Sequence, residues 1–142
     1  HRGAITRLQY SPNGKFLASC DANREVLVFE NGQVSHPPPL FFFFKPFFLF
    51  QISNRVFILA KVSGWVFHTA RVNSLAWSPD SVHLATAGLD TNIIVWNVVE
   101  TGSRILLKGA HSGGVKDLLW TDEHTIASVG QDCALKTWAI TF

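Results

Sequence analysis

The amino-acid sequence predicts an all-β fold built from three copies of one short unit. Residues 1–29 match residues 68–96 at a constant offset and without a gap, and a third copy follows over residues 111–138. The second and third copies are separated by about 40 to 45 residues, a period typical of repeat architectures whose neighbouring units bury each other's apolar surface. Each unit reads as short apolar or alternating runs separated by turn residues, which favours strands over helices.

The strands of the second unit are the clearest and set the order for the other two. The sequence predicts them over Val72 to Trp77, His83 to Ala87, Ile93 to Asn97 and Arg104 to Lys108, since each is a run of about five apolar or alternating residues. Between the first two, Ser78-Pro79-Asp80-Ser81 predicts a tight turn, because proline presets φ and small polar residues accept the remaining dihedral angles. Each unit is therefore expected to form a small antiparallel sheet that packs against its neighbours.

The composition is that of a globular domain and argues against several classes of function. Of 142 residues, 47% are hydrophobic and 15% are charged, the net charge is +2, and the length suits about one domain. The sequence contains no basic run of the kind that follows nucleic-acid phosphates or anionic lipids. Nucleic-acid binding and membrane binding are therefore not predicted.

The two cysteines and the start of the chain bear on its cellular context. Cys20 and Cys133 lie far apart and have no CxxC neighbour, so neither a disulfide framework nor a zinc site is predicted, and a reducing compartment fits best. The sequence begins with His1 and contains no methionine. We interpret it as a piece of a larger protein that carries no signal peptide.

An apolar segment interrupts the first unit. Leu40 to Phe50 reads LFFFFKPFFLF and lies in a surplus stretch between Glu30 and Trp65 that the second unit lacks. A membrane-spanning helix needs roughly 20 uninterrupted apolar residues, and Lys45 and Pro46 break this run. Three hypotheses remain: a hydrophobic loop that binds a partner, a flap folded onto the sheet, or translated sequence from a retained intron. We favour the intron, because Phe, Pro, Leu and Ser are encoded by pyrimidine-rich codons.

The repeat boundaries divide the chain into four parts. Residues 1–30 are expected to form the first three strands of the first unit, and residues 31–64 the Phe- and Pro-rich insertion. Residues 65–110 would hold the fourth strand of the first unit, placed near Trp65 to Phe67, and then the second unit. Residues 111–142 would form the third unit, which lacks an outer strand.

Two units place a histidine, a hydroxyl residue and an aspartate at matching positions. The sets are His68, Thr86 and Asp90 in the second unit and His111, Ser128 and Asp132 in the third. A Ser-His-Asp set could form the triad of a hydrolase. However, the sequence has no GxSxG nucleophile elbow, and a shared scaffold predicts two copies where a single active site predicts one. We interpret both sets as structural and predict no catalytic residue.

The remaining histidines give no sign of a metal site. His36, His83 and His124 fall in the insertion, at a strand start and in a turn, with neither HxH nor HExxH spacing among them. No metal and no cofactor are therefore predicted.

A histidine that opens each unit and a tryptophan that closes its third strand, Trp96 or Trp138, resemble the WD-repeat family of β-propellers. The resemblance implies a tetrad in which the indole N–H donates to the hydroxyl, the hydroxyl bonds the imidazole and the imidazole bonds the aspartate, which accepts turn amides. The first unit has a degraded version of this tetrad, formed by His1, Ser19, Asn23 and Phe29. The predicted fold is therefore a partial β-propeller of three WD-repeat blades with an irregular Phe-rich insertion in the first.

Longer stretches resemble one group within this family, the WD-repeat proteins that regulate actin. They are CDANREVLVF (Cys20 to Phe29), FHTARVNSLAWSPDS (Phe67 to Ser81) and SVGQDCALKTW (Ser128 to Trp138). The resemblance implies a cytoplasmic, non-enzymatic protein of two seven-bladed propellers that binds cofilin-decorated actin filaments and promotes their disassembly. The expected partners are thus actin filaments, cofilin and the remaining blades of the full-length protein. The alternatives are a generic WD-repeat interaction scaffold and a non-functional truncated product, and no residue is assigned to partner contact.

Overall fold

The computed structural model describes residues 1–32, 50–52, 55–59 and 65–142. These residues form β-strands joined by turns, and no helix is found among them. The strands are β1 (Ile5–Tyr10), β2 (Phe16–Asp21), β3 (Val26–Gly32), β4 (Phe50–Ile52), β5 (Arg55–Leu59), β6 (Val72–Trp77), β7 (His83–Gly88), β8 (Ile93–Asn97), β9 (Arg104–Leu107), β10 (Val115–Trp120), β11 (Thr125–Gly130) and β12 (Leu135–Ala139).

The strands assemble into three antiparallel sheets, one for each repeat. Blade one has the strand order β1-β2-β3-β5-β4, blade two the order β6-β7-β8-β9, and blade three the order β10-β11-β12. In each sheet the first two strands pair as an antiparallel hairpin, which short polar turns favour. The all-β propeller fold class predicted from the repeats is confirmed.

Blade two follows the sequence pattern closely. Strands β6 and β8 have the predicted bounds, β7 extends one residue further to Gly88, and β9 ends one residue earlier at Leu107. The turn between β6 and β7 is closed by the amide of Ser81, which donates to the carbonyl of Ser78. The Ser78 and Asp80 side chains are hydrogen-bonded inside the same turn.

The fourth strand of blade one differs from the expectation. Strand β5, not the segment near Trp65 to Phe67, pairs with the end of β3, with Phe29 opposite Leu59 and Gly32 opposite Val56. Trp65 forms only a single bridge, to Val26 at the start of β3. The sequence RVFIL of β5 contains four apolar residues, two of them β-branched, which suit a strand, whereas Trp65 to Phe67 run directly into the turn before β6.

Parts of the predicted insertion thus contribute strands to blade one. Strand β4 pairs with the outer edge of β5 and adds a fifth strand. The Phe-rich run from Leu40 to Leu49 lies outside the described residues, as do residues 53–54 and 60–64. The three hypotheses about that run therefore remain predictions.

The core consists of two apolar layers, each between two blades. The first layer joins blades one and two through residues that include Ala18, Cys20, Val28, Leu75, Trp77, Leu84 and Trp96. The second joins blades two and three through residues that include Ala85, Ile93, Val95, Leu118 and Ile126. Both faces of blade two are therefore buried, which accounts for the near-continuous apolar runs in its strands.

Candidate functional site

A continuous hydrogen-bond network runs through blade two. The indole Nε1 of Trp96 lies 2.7 Å from the hydroxyl of Thr86, and that hydroxyl lies 2.8 Å from Nε2 of His68. Nδ1 of His68 lies 2.9 Å from Oδ2 of Asp90, and Asp90 accepts the backbone amides of Thr69 and Asn92. The structure thus brings together all four residues that the sequence pattern selected in this blade.

The strand register explains why these side chains meet. Thr86 on β7 pairs with Ile94 on β8, and Trp96 pairs with Leu84, so Thr86 and Trp96 are diagonal neighbours on one face. His68 precedes β6, and Asp90 lies in the turn between β7 and β8. The network therefore ties the segment that enters the blade to its second and third strands.

One arrangement of protons satisfies every group in this network. The indole N–H donates to the Thr86 hydroxyl, the hydroxyl donates to Nε2 of a neutral imidazole, and the Nδ1–H of His68 donates to Asp90. Thr86 and His68 are buried, and the nearby Trp96 side chain is only 2% exposed. Buried polar groups without partners are costly, so completion of the chain of bonds matters for stability.

Blade three repeats the network with serine in place of threonine. Nε1 of Trp138 lies 2.9 Å from Oγ of Ser128, which lies 2.8 Å from Nε2 of His111, and Nδ1 of His111 lies 2.7 Å from Oδ1 of Asp132. Asp132 also accepts the backbone amides of Ser112 and Ala134. Here too the four predicted residues are in contact.

Blade one forms a shorter version of the network, as expected, but its carboxylate comes from a residue that the repeat alignment did not select. Nε2 of His1 lies 2.5 Å from Oγ of Ser19, as expected, but its Nδ1 faces Asp21 at 3.3 Å. Asn23, which aligns with the aspartates of the other blades, instead donates its backbone amide to Asp21. Phe29 at the tryptophan position has no indole N–H to donate.

Asp21 is therefore the carboxylate that the sequence analysis missed. It is fully buried, and it also accepts the amides of Gly3 and Glu25. Asp21 aligns with Gly88 of blade two and Gly130 of blade three, and an aspartate in place of two glycines is the sequence signal that could have identified it. Blades two and three have no room for a side chain at this position, since a Cβ at Gly130 would lie 2.3 Å from the His111 ring.

The carboxylates of the two complete networks are acidic groups stabilised in their charged form. Burial raises the pKa of Asp90, but hydrogen bonds from His68, Thr69 and Asn92 outweigh it and leave the pKa below its usual value. The hydrogen bond from His111 is the main cause that lowers the pKa of Asp132 to about 2. Both aspartates are therefore ionised near neutral pH.

The Ser128, His111 and Asp132 side chains have the connectivity of a hydrolase triad without its accessibility. Ser128 is 2% exposed and His111 is fully buried, and the Ser128 hydroxyl already accepts the indole N–H of Trp138. A catalytic serine must reach a substrate carbonyl beside an oxyanion hole. The geometry suits a structural role in the blade and not nucleophilic attack.

Two further polar clusters involve histidines. Nδ1 of His1 and carboxylate oxygens of Asp21 and Glu25 lie within 4.8 Å of one another, and His1 can pair with both acids. In blade two, Nδ1 of His83 lies 2.7 Å from Oδ2 of Asp80, and the His83 ring stacks on Phe142 with centroids 3.7 Å apart.

An aromatic patch lies where blade one meets blade two. The rings of Trp65 and Trp96 stack with centroids 4.4 Å apart, and the Phe67 ring lies 5.7 Å from Trp96. The guanidinium of Arg104 sits 3.8 Å above the half-exposed Phe67 ring, within the range of a cation–π contact.

These repeated networks and the blade geometry agree with a comparison to known families. Residues 1–30 and 61–97 match the family described as WD domain, G-beta repeat. The chain contains WD repeats. This WD-repeat chain also resembles the solved WD40 repeats of RRP9, with a TM-score of 0.68 at 21% identity over 99% of this chain and 36% of that one. At that identity the likeness concerns the fold alone.

Curated relatives match this WD-repeat chain over nearly its full length. It is 42% identical to the 66 kDa stress protein of Physarum polycephalum, 36% identical to actin-interacting protein 1 of Drosophila melanogaster and 37% identical to actin-interacting protein 1-2 of Arabidopsis thaliana. Each match covers 99% of this chain and 19% of the relative. The chain thus spans about a fifth of the length of these relatives.

The described part of the chain contains no helix that could span a membrane.

Proposed function

We propose that the chain contributes to actin regulation as a non-enzymatic binding module, which engages cofilin-decorated actin filaments and promotes their disassembly. The observation that carries this proposal is the match to two proteins named actin-interacting protein 1 or 1-2, at 36% and 37% identity over 99% of the chain. Actin filaments and cofilin are then its partners, together with the remaining blades of a longer protein, and its location is the cytoplasmic actin cytoskeleton.

The two complete networks serve a structural role in this proposal. Their hydroxyl and imidazole groups are buried between strands and hydrogen-bonded to one another, so they hold each blade in shape while partner contacts fall to exposed loops. The exposed turns vary most easily without harm to the sheets, which is why WD-repeat blades can serve many partners.

Co-sedimentation tests the actin proposal directly. The 142-residue chain is centrifuged with actin filaments, either bare or saturated with cofilin, and filament lengths are measured by fluorescence microscopy in parallel. We expect the pelleted fraction of the chain to be severalfold higher with cofilin and the filaments to shorten. A heat-unfolded sample of the same chain controls for trapping in the pellet.

The other outcomes separate the alternatives. Equal pelleting with and without cofilin would favour a generic WD-repeat scaffold over a cofilin-dependent module. No pelleting by a chain that unfolds cooperatively would contradict actin binding by this piece.

A substitution of Ser128 tests the non-enzymatic part of the proposal. Ser128→Ala removes the acceptor of the Trp138 N–H and the partner of His111, so we expect a lower melting temperature. With p-nitrophenyl acetate as probe, wild type and variant should release nitrophenol at the same rate. A rate that falls to background in the variant would instead assign Ser128 as a nucleophile.

A further inference from the structure

We propose that blade one binds a divalent transition-metal ion, such as Zn²⁺, between the side chains of His1, Asp21 and Glu25. This site goes beyond the proposed role in actin regulation and does not depend on it. It also departs from the expectation of no metal site, which was based on the spacing of histidines along the sequence. The three residues come together in space instead, because His1 precedes β1, Asp21 ends β2 and Glu25 precedes β3.

The three candidate ligand atoms are spaced as a metal ion requires. Nδ1 of His1 lies 3.3 Å from Oδ2 of Asp21 and 3.7 Å from Oε2 of Glu25. All three atoms lie within 4.8 Å of one another. Zn²⁺ binds nitrogen and oxygen at about 2.0–2.2 Å, so two ligands of a tetrahedral site are about 3.3–3.6 Å apart. One ion therefore fits between these atoms with small adjustments of the side chains.

Glu25 brings a second carboxylate that the networks of the other blades lack. It aligns with Asn92 in blade two and Ala134 in blade three. Its Oε2 atom is buried, and this atom accepts no hydrogen bond from the described residues. The Asp21 side chain is also fully buried, so two carboxylates face one imidazole. Buried charges are usually paired or bound to metals, and a divalent cation would balance both acids.

The missing tryptophan of blade one leaves Nδ1 of His1 free to bind the ion. In blade two, the Trp96 indole N–H donates to the network hydroxyl, which then donates to Nε2 of His68, and Nδ1 keeps the proton. Phe29 has no N–H, so the Ser19 hydroxyl can accept the Nε2–H of His1. Nδ1 then directs a lone pair at the two carboxylates. A hydrogen bond from the second ring nitrogen is the usual way in which proteins orient a metal-binding histidine.

The backbone holds the Asp21 carboxylate in place for this role. Its Oδ1 accepts the amides of Asn23 and Glu25, both at 2.9 Å, and its Oδ2 accepts the amide of Gly3 at 3.1 Å. Such hydrogen bonds to a ligand carboxylate fix its orientation before the ion binds. Asp21 is therefore the most rigid of the three ligands.

The site opens to solvent on the side of Glu25. This side chain is 26% exposed and lines a cavity of about 470 Å³, together with residues that include Asn23 and Val66. Three protein ligands and one water molecule complete a tetrahedral zinc site. The ion and its water ligand can therefore enter from this cavity.

Titration with zinc chloride tests the site. The chain carries a short Gly-Ser extension before His1, which removes a free α-amino group as a competing ligand, and Cys133→Ser, which removes an exposed thiol. Isothermal titration calorimetry should give one Zn²⁺ per chain. Thermal unfolding, followed by circular dichroism, should shift to higher temperature with Zn²⁺ and return with EDTA, because the ion binds the folded state.

Three variants in this background locate the ion. Glu25→Gln keeps the size of the side chain and removes its charge, so we expect Zn²⁺ to bind at least about tenfold more weakly. Phe29→Trp changes no ligand but restores the indole donor, which returns the proton to Nδ1, and should also weaken binding by about tenfold or more. Glu123→Gln changes an exposed carboxylate outside the site and should bind Zn²⁺ like the parent chain.

Other results would overturn the proposal. Equal affinity of the parent chain and Glu25→Gln would place the ion elsewhere. A folded chain that gains no stability with Zn²⁺ would mean that a protonated His1 pairs with both acids instead. Undiminished binding by Phe29→Trp would contradict the orientation of the imidazole on which the site depends. If Glu25→Gln does not unfold cooperatively, His1→Gln replaces it with the same expected loss of affinity.

Discussion

The hydroxyl of Thr86 forms hydrogen bonds with two buried groups, the indole N–H of Trp96 and Nε2 of His68. Neither of these two groups has another partner in the network. Thr86→Val keeps the shape of the side chain and leaves both groups unpaired. Each buried group left without a partner costs about 1–3 kcal/mol, so we expect a loss of about 2–6 kcal/mol in the free energy of unfolding, measured by urea denaturation. Thr86→Ser is the matched control, because blade three uses Ser128 at this position. A valine variant as stable as the serine variant would contradict the importance of the network.

Acid should weaken the fold through the same networks. The pKa of Asp132 is lowered to about 2 and the pKa of Asp90 lies below its usual value. As the pH falls below the unfolded pKa of 3.8, the unfolded chain therefore binds more protons than the folded one. The stabilisation that these carboxylates contribute is fully present above that pH and is lost as the pH falls towards about 2.

Asp132→Asn provides the measurement for this pH dependence. The variant should be less stable at pH 7, and its stability should fall less steeply than that of wild type between pH 3.8 and about 2. Urea denaturation across that pH range gives the two slopes, and Glu123→Gln, which changes an exposed carboxylate outside the networks, is the control. An unchanged slope in Asp132→Asn would contradict the assigned hydrogen bonding.

At the scale of the strands, the second strands of blades two and three end in a glycine, Gly88 or Gly130. A Cβ on Gly88 would lie 2.4 Å from the carbonyl oxygen of Arg71, which is backbone and cannot move aside cheaply. Gly88→Ala should therefore lower the free energy of unfolding by about 1–3 kcal/mol or more, measured by urea denaturation. Gly102→Ala is the control, because a Cβ there meets nothing within 4 Å. Equal stability of the two variants would show that β7 can shift to make room.

The strands that the sequence predicted well are those whose residues face neighbouring blades. In blade two both faces are buried, so apolar runs and turn residues mark β6, β7 and β8 unambiguously. The partner of β3 could not be predicted in this way, because β5 comes from a segment that the repeat does not align. Aligning the repeats finds no position in the other units that corresponds to β5. The alignment therefore placed the expected fourth strand near Trp65 instead.

The same limit applies to the polar networks. In blades two and three, repeat alignment selected eight residues that the structure brings into hydrogen-bond contact, since the spacing between histidine, hydroxyl and aspartate is preserved there. In blade one, alignment pointed to Asn23, whereas the buried Asp21 two residues earlier provides the carboxylate. A side chain can reach the same point in space from a different backbone position, which an offset along the sequence does not reveal.

At the scale of the whole molecule, three blades are joined by contacts that repeat along the chain. The Thr6 hydroxyl donates to the carbonyl of Val72 at 2.7 Å, and the Asn73 amide donates to the carbonyl of Val115 at the same distance. Repeated apolar layers and repeated polar contacts couple each blade to the next, so the three should unfold together.

From the described strands of blade one we predict that the Phe-rich run is dispensable for folding. Gly32 and Gln51 flank Val56 on opposite sides of β5, so their backbones lie about 10 Å apart across two strand spacings. A flexible linker of about five glycine and serine residues covers that distance, and a shorter loop costs slightly less entropy to close.

Replacement of residues 33–49 by such a linker should therefore preserve a single cooperative thermal transition, within a few degrees of wild type. A deletion of residues 33–59, which also removes β4 and β5, should lower the transition temperature much further, because β3 loses its pairing with β5. If the linker variant instead loses cooperative unfolding, the Phe-rich run belongs to the core of blade one and is no interruption of the repeat.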